Sequence, residues 1–115
     1  MLVKRQDDVP PTVYDGGLAG VTMREMITER DGAPTFAIRV FDLALGATTP
    51  CHRHPWEHEV FIARASGVVK SEQGDRRFAT GDTVFIRGDE PHWVSAQTAV
   101  QFGCVVPARP ISKTG

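Results

Sequence analysis

The chain has 115 residues, of which 41% are hydrophobic and 23% are charged, and this balance is typical of one soluble globular domain. The 13 Lys and Arg residues nearly balance the 14 Asp and Glu residues, so the charge gives no reason to expect nucleic acid or a membrane as a partner. No apolar run reaches the roughly 18 residues of a membrane span, and none resembles a secretory signal. Two cysteines are too few for a disulfide scaffold. We therefore expect a cytoplasmic protein.

Turn residues and alternating apolar residues predict an all-β chain. Residues 1–20 contain prolines and glycines and are predicted to form an arm with turns, and residues 108–115 are predicted to form a frayed tail. Asp31-Gly32 predicts a tight hairpin turn. Strands are predicted at 21–29, 35–45, 58–63, 68–70, 83–86, 92–95 and 99–106. So many short strands with regular turns indicate a sandwich or a closed barrel over residues 21–107.

Three of the four histidines fall within seven residues, at positions His52, His54 and His58. They have the same parity, so they share a face if the chain stays extended or turns through Pro55-Trp56. Several imidazoles buried together without partners are costly, whereas a metal ion binds their neutral form. This spacing predicts a metal site. The alternative is a solvated set of unrelated histidines.

Two stretches resemble the paired motifs of the cupin superfamily. Residues 46–59 resemble G-x5-H-x-H-x3,4-E-x6-G, with Gly46 six residues before His52. Residues 81–92 resemble G-x5-P-x-G-x2-H-x3-N and bring in His92. The resemblance covers residues from about 10 to 107 and implies a single cupin barrel, that is, a jelly roll or double-stranded β-helix.

The chain departs from these motifs in ways that bear on the ligands. The acidic position is held by His58 if three residues follow His54, or by Glu59 if four do, and strand parity favours His58. The following motif glycine is Ala65, and Arg87, Asp89 and Ala96 replace the proline, glycine and asparagine of the second motif. The chain thus looks like a tetra-histidine cupin, similar to the small manganese-binding cupins of thermophilic bacteria. This resemblance implies four metal ligands: His52, His54, His58 and His92.

Four histidine ligands imply one divalent transition metal per chain, with Mn, Fe or Cu favoured and Zn or Ni as further options. On a six-coordinate ion they leave two positions open, and neutral imidazoles leave the full charge of the cation. The expected partner is therefore a small-molecule substrate that chelates through anionic or enolisable oxygen atoms. A closed, four-coordinate structural zinc site is the alternative.

Four residues are predicted to shape the substrate pocket. Phe102 and Cys104 share a face of the last strand, and in the resembled cupins such a pair lines the cavity. Arg39 lies mid-strand among apolar residues and is either a clamp for a substrate carboxylate or a surface contact. Trp56 either covers the cavity or packs on a partner subunit. Cys51 has the opposite orientation, so a disulfide with Cys104 is not expected.

The leading functional prediction is a dioxygenase-type oxidoreductase with a mononuclear four-histidine metal site. The alternatives are a non-redox metal-dependent lyase or isomerase, and a metal- or small-molecule-binding module without turnover. No side chain stands out as a general base, so the catalytic residues are left unassigned. Resemblance to small cupins that pair through their sheets also implies a homodimer.

Overall fold

The structure is a computed structural model that describes residues 1–14, 19–51 and 53–109. Within these ranges the regular structure is almost entirely β, with 3-10 turns at Gln6–Asp8 and Glu29–Asp31. The nine strands are β1 Thr12–Val13, β2 Val21–Ile27, β3 Phe36–Leu43, β4 His58–Arg64, β5 Gly67–Ser71, β6 Arg76–Phe78, β7 Thr83–Ile86, β8 His92–Ala96 and β9 Val100–Pro107. None of the helices in the described part of the chain is long and apolar enough to cross a membrane.

The strands form two antiparallel sheets. The larger has the order β1-β2-β3-β9-β4-β7, and the smaller has the order β6-β5-β8. β9 is central in the larger sheet because it pairs with β3 on one side and β4 on the other. The two sheets enclose one core, so the predicted all-β, single-barrel architecture is confirmed.

The core lies between the inner faces of the two sheets. Residues of β3 alternate, so that Ala37, Phe41 and Leu43 are buried while Phe36 is exposed. Ile62 of β4 is 1% exposed and Leu43 is 2% exposed. Each such burial contributes roughly 1.5–3 kcal/mol from apolar transfer. The core therefore fixes the register that aims alternate side chains of β3, β4 and β9 into the barrel.

The hairpin predicted at Asp31-Gly32 is present, because β2 pairs antiparallel with β3, but its connection is longer than a two-residue turn. Residues 29–31 form a 3-10 turn, and Gly32 follows it in the left-handed conformation with φ 92°. A capping box holds this turn, because Thr28 and Asp31 each accept a hydrogen bond from the other end of it. The glycine thus ends a 3-10 turn instead of closing a two-residue hairpin.

Two departures from the cupin motifs occupy left-handed backbone. Ala65 has φ 77° and Asp89 has φ 64°, and each stands where the motif has glycine. Glycine takes this conformation at no steric cost, which explains the motif, whereas alanine is strained there. Ala65 holds the glycine position only if the preceding ligand position is His58. The backbone therefore supports aligning His58, not Glu59, with the acidic motif position.

Candidate metal centre

Three histidine rings converge inside the barrel. The ring centroids of His54 and His58 are 5.0 Å apart, those of His58 and His92 are 5.3 Å apart, and those of His54 and His92 are 6.2 Å apart. His58 and His92 are buried, and His54 is partly exposed. His52, the fourth predicted ligand, lies outside the described residues.

The fold brings these histidines together from different elements. His58 begins β4 in the larger sheet, opposite Ile86, and His92 begins β8 in the smaller sheet, opposite Ser71. His54 lies in the loop before β4, which bends at Pro55-Trp56. The chain therefore takes the second of the two predicted routes, a turn instead of a continuous strand.

The two glutamates that neighbour His58 in the sequence face outward. Glu57 and Glu59 are both exposed, on either side of the buried His58. Contact with Glu57 raises the pKa of Glu59, first through their hydrogen bond, because a shared proton relieves the repulsion of two carboxylates. Glu59 thus faces the outer surface of the larger sheet, away from the histidine rings.

Hydrogen bonds at the ring edges orient two of the histidines. Nδ1 of His92 lies 2.8 Å from the backbone carbonyl oxygen of Glu90. A carbonyl can only accept, so Nδ1 carries the proton and Nε2 of the neutral ring has a lone pair. Nδ1 of His58 lies 3.5 Å from Sγ of Cys104. Such contacts at the far ring nitrogen are typical of histidines that bind a metal.

The electrostatic surroundings favour neutral imidazole. Burial lowers the pKa of His54, and the neighbouring charges of His92 and Arg39 lower it further. Neutral imidazole is the form that coordinates Mn, Fe, Cu, Zn and Ni. The donor chemistry therefore fits a transition metal and does not fit a hard cation such as Ca²⁺, which prefers oxygen ligands.

The spacing of the rings also fits a shared ion. Two imidazoles that bind one ion at about 2.1 Å have centroids roughly 4.5–6.5 Å apart, a range that contains all three measured separations. Among the described residues, which leave out His52, no three His, Cys, Asp or Glu side chains are already arranged to hold an ion. His52 lies outside the described residues, so the four-histidine set stays a prediction.

A small interior cavity of about 30 Å³ adjoins the histidines. Its walls are mainly apolar, with Phe41, Val60 and Phe102 beside His58 and His92. By volume it holds roughly two water molecules. The cavity can therefore take a small polar group of a ligand, not the whole of a drug-sized molecule.

Three of the predicted pocket residues line this cavity. Arg39, Phe102 and Cys104 all face it, so Arg39 is an interior residue and not a surface contact. Burial raises the pKa of the Cys104 thiol, and the positive charge of Arg39 opposes this. Cys104 is thus a protonated thiol at neutral pH. Cys51 is exposed, and both cysteines are free, as expected.

Trp56 occupies a different place from the other predicted pocket residues. Its ring stacks on His54 with centroids 4.7 Å apart and an angle of 4° between the planes. It is absent from the residues lining the interior cavity and instead lines an outer groove with Pro55 and Glu57. Trp56 therefore supports the back of a histidine instead of forming a wall of the cavity.

Tyr14 lines the cavity as well, and the sequence interpretation missed it. Its ring meets Phe41 edge to face at 5.0 Å. Burial raises the pKa of the Tyr14 phenol, although Arg39 acts in the opposite direction. The available signal was the β-prone run Thr12-Val13-Tyr14, which contains the chain's single tyrosine but was assigned to an irregular arm.

The family follows from the match to known sequences. Residues 39–106, more than half of the chain, match the family model described as a cupin domain. The chain belongs to the cupin family. No curated protein matches the sequence of this cupin.

Solved structures give a finer comparison. The polyketide cyclase RemF from Streptomyces resistomycificus shares 27% identity with this cupin, at a TM-score of 0.90 over 97% of this chain and 82% of RemF. A cupin-2 domain from Rhodospirillum rubrum shares 23% identity, at a TM-score of 0.83 over 96% of this chain and 77% of its own. A predicted oxalate decarboxylase from Thermotoga maritima shares 22%, at a TM-score of 0.78 over 92% of this chain and 99% of its own. The latter two show the fold alone.

Proposed function

We propose that this cupin is a metal-dependent enzyme that cyclises a small molecule through an enolisable carbonyl group. One divalent transition metal per chain would be held by His52, His54, His58 and His92. The reaction class is non-redox, so it corresponds to the lyase or isomerase alternative of the sequence interpretation.

The observation that carries the metal assignment is the hydrogen bond of His92. Its Nδ1 proton is committed to the Glu90 carbonyl oxygen at 2.8 Å, which leaves the lone pair on Nε2. The rings of His54 and His58 lie within 6.2 Å of it, centroid to centroid. A divalent metal, when bound, supplies Lewis-acid polarisation of a carbonyl or enolate oxygen.

The reaction class rests on the similarity to RemF, which is named a polyketide cyclase and aligns with 97% of this chain at 27% identity. Such a cyclisation removes a proton from a carbon next to one carbonyl and joins that carbon to a second carbonyl of the same molecule. The second oxygen takes up a proton, and no electrons are gained or lost overall. The apolar walls formed by Phe41 and Phe102 would exclude water from the substrate group that enters the cavity.

The dioxygenase prediction stays as the second candidate. Four histidines on a six-coordinate ion leave two positions open, which is enough for a substrate and dioxygen together. This candidate requires a redox-active ion and consumes dioxygen in proportion to product. Cyclisation requires neither, so oxygen uptake separates the two.

The first test is elemental analysis of untagged protein purified without chelator or added metal, on wild type, His58→Ala and Glu59→Ala. We expect about one transition metal per chain in wild type and in Glu59→Ala, and a marked loss in His58→Ala. Glu59→Ala is the matched control because its carboxylate faces the outer surface. Equal metal content in all three proteins would contradict the ligand assignment.

The second test follows turnover of a linear 1,3,5-triketone by absorbance while an oxygen electrode records dioxygen. We expect the metal-loaded protein to form a cyclised product with no oxygen uptake, and chelation to abolish it. Stoichiometric oxygen uptake would establish the dioxygenase instead. Product formation that survives chelation would contradict a metal-dependent reaction.

A further inference from the structure

Arg39 places a permanent positive charge inside the barrel. It lies mid-β3, lines the interior cavity, and its Nε is buried without a hydrogen-bond partner. Among the described residues no ion pair involves Arg39. Its cross-strand neighbour Glu25 is instead paired with Arg30. The fold thus holds a guanidinium in the cavity, and the carboxylate of its paired residue on β2 is engaged by another arginine.

The protein compensates this charge only in part. The guanidinium carbon lies over the Phe41 ring at 5.4 Å from its centroid, a cation–π contact. A side-chain hydrogen bond with Cys104 is a second contact, and neither the phenylalanine ring nor the protonated thiol supplies an opposite full charge. An anionic ligand would complete this site, since a guanidinium matches the two oxygens of a carboxylate.

Tyr14 also contacts this phenylalanine. Its ring meets Phe41 edge to face, it lines the same cavity as Arg39, and the charge of Arg39 acts on its phenol. Burial keeps the phenol protonated by raising its pKa. A protonated phenol donates a hydrogen bond to an oxygen anion. Arg39 and Tyr14 therefore offer donors to the same kind of group.

The guanidinium also lies close to the histidines. Its charge acts on both Cys104 and His54, and Sγ of Cys104 is 3.5 Å from Nδ1 of His58. We propose that Arg39 and Tyr14 form a subsite for a carboxylate group of the substrate, beside the metal ligands. This inference deepens the proposed function and rests on it for the identity of the ligand as a substrate. A cavity of about 30 Å³ fits such a group.

The test compares two ligands that differ only at the group the subsite would recognise. Acetoacetate ends in a carboxylate, and acetylacetone has a methyl ketone in its place. Calorimetric titration of each into the metal-loaded protein, and again after chelation, gives the preference for the carboxylate. Wild type is expected to prefer acetoacetate in both states, because Arg39 and Tyr14 do not depend on the metal.

Arg39→Met is expected to weaken acetoacetate binding roughly 10- to 100-fold, the factor for losing a charged hydrogen bond, and to leave acetylacetone unchanged. Tyr14→Phe is expected to weaken it roughly three- to tenfold. Arg87→Met is the matched control, because exposed Arg87 also lies over a phenylalanine, Phe85, at 5.6 Å on the outer face. Arg39→Lys keeps the positive charge but lacks the paired N–H donors of the guanidinium. Its affinity for acetoacetate should therefore lie between those of wild type and Arg39→Met.

Two results would overturn the subsite: equal affinity of wild type for the two ligands, or an unchanged carboxylate preference in Arg39→Met and Arg39→Lys. Failure of the proposed function looks different. In that case no metal is retained, while the chelated protein still prefers acetoacetate and loses the preference with Arg39.

Discussion

His92, the first residue of β8, donates its Nδ1 proton to the carbonyl oxygen of Glu90, two residues earlier in the preceding loop. The loop before β8, which sets the tautomer of His92, is also hydrogen-bonded to the loop before β4 that carries His54. The amide of Asp89 donates to the carbonyl oxygen of His54 at 2.5 Å. A backbone hydrogen bond thus joins residues 87–91 to residues 53–57. The positions of His54 and His92 are coupled through backbone, not only through a shared ion.

Gly88 lies where these two loops touch. A Cβ at this position would sit 2.7 Å from the Pro55 carbonyl oxygen, closer than backbone atoms allow. Gly88→Ala should therefore displace the 53–57 loop and with it His54. We expect metal affinity to fall roughly 10- to 100-fold, as when groups that orient ligands are lost, while the barrel stays folded. Competition against a chromogenic chelator measures this, with circular dichroism to check the fold.

Gly103→Ala is the control for that substitution. Gly103 lies in β9, and a Cβ there would meet only the Cδ1 of Ile38, at 4.0 Å. Its metal affinity should match wild type. If Gly88→Ala also binds metal like wild type, the loops are not coupled in the way that the Asp89 hydrogen bond implies.

Ala65 is the position where a substitution should stabilise the fold. Its left-handed backbone, φ 77°, costs a residue with a Cβ about 1–2 kcal/mol, and glycine avoids this at an entropic cost of roughly 0.5–1 kcal/mol. Ala65→Gly should therefore raise the free energy of unfolding by about 0.5–1 kcal/mol and Tm by a few degrees. Chemical denaturation measures this.

The same change two residues earlier should have the opposite sign. Ala63 is an exposed residue of β4 at a register shift between Ile62 and Arg64, and its φ is not positive, so Ala63→Gly should lower stability. If both variants lose stability, the left-handed conformation at Ala65 is not strained.

Periodicity predicted the long strands well, because alternate burial leaves a readable pattern. Residues 35–45 and 99–106 were predicted as strands, and the structure has Phe36–Leu43 and Val100–Pro107. β6 was missed because its residues Arg76–Phe78 bury a single side chain and so show no alternation. The 3-10 turn at Glu29–Asp31 was missed because its side-chain caps compete locally with the hairpin signal of Asp31-Gly32.

Site residues were predictable where strand parity applied. Parity favoured His58 over Glu59 as the inward residue, and the structure has His58 buried and Glu59 exposed. Parity could not decide whether the face of β3 that carries Arg39 points into the barrel, because that depends on how the two sheets pack. Tyr14 and Trp56 lie outside the long strands, in an arm and a loop, where chain direction is set by tertiary contacts and not by period.

The Lys4–Asp31 contact should make stability depend on pH. The hydrogen bond from Lys4, and then that from the Thr28 amide, lowers the pKa of the Asp31 carboxyl in the folded state. A lowered folded-state pKa means that the contribution is complete above the unfolded pKa and is lost as pH falls through the folded pKa. Asp31→Asn should therefore be less stable than wild type at pH 7 and equal to it in acid.

Urea denaturation of wild type and Asp31→Asn between pH 7 and pH 2 measures this difference. Lys4→Met serves as the partner variant and should show a smaller loss at neutral pH, because the hydrogen bond from the Thr28 amide remains, with the same convergence in acid. A difference between Asp31→Asn and wild type that stays constant across the whole range would show that the charge of Asp31 does not contribute.

The outer face of the larger sheet bears on the predicted homodimer. Phe61 and Phe85 are 54% and 56% exposed there, and with Ile38 and Val105 they line a groove of about 400 Å³. An exposed apolar face of this kind is typical of an interface, and we expect a second copy of this chain to cover it. Wild type should therefore sediment as a dimer.

Phe61→Glu should raise the dissociation constant of this dimer roughly 100-fold or more, because a two-fold interface would bury two carboxylates. Leu45→Glu, at a residue 72% exposed outside this groove, should leave the dimer intact. A wild-type monomer in sedimentation equilibrium, or a Phe61→Glu dimer as tight as that of wild type, would show that this face does not pair two chains.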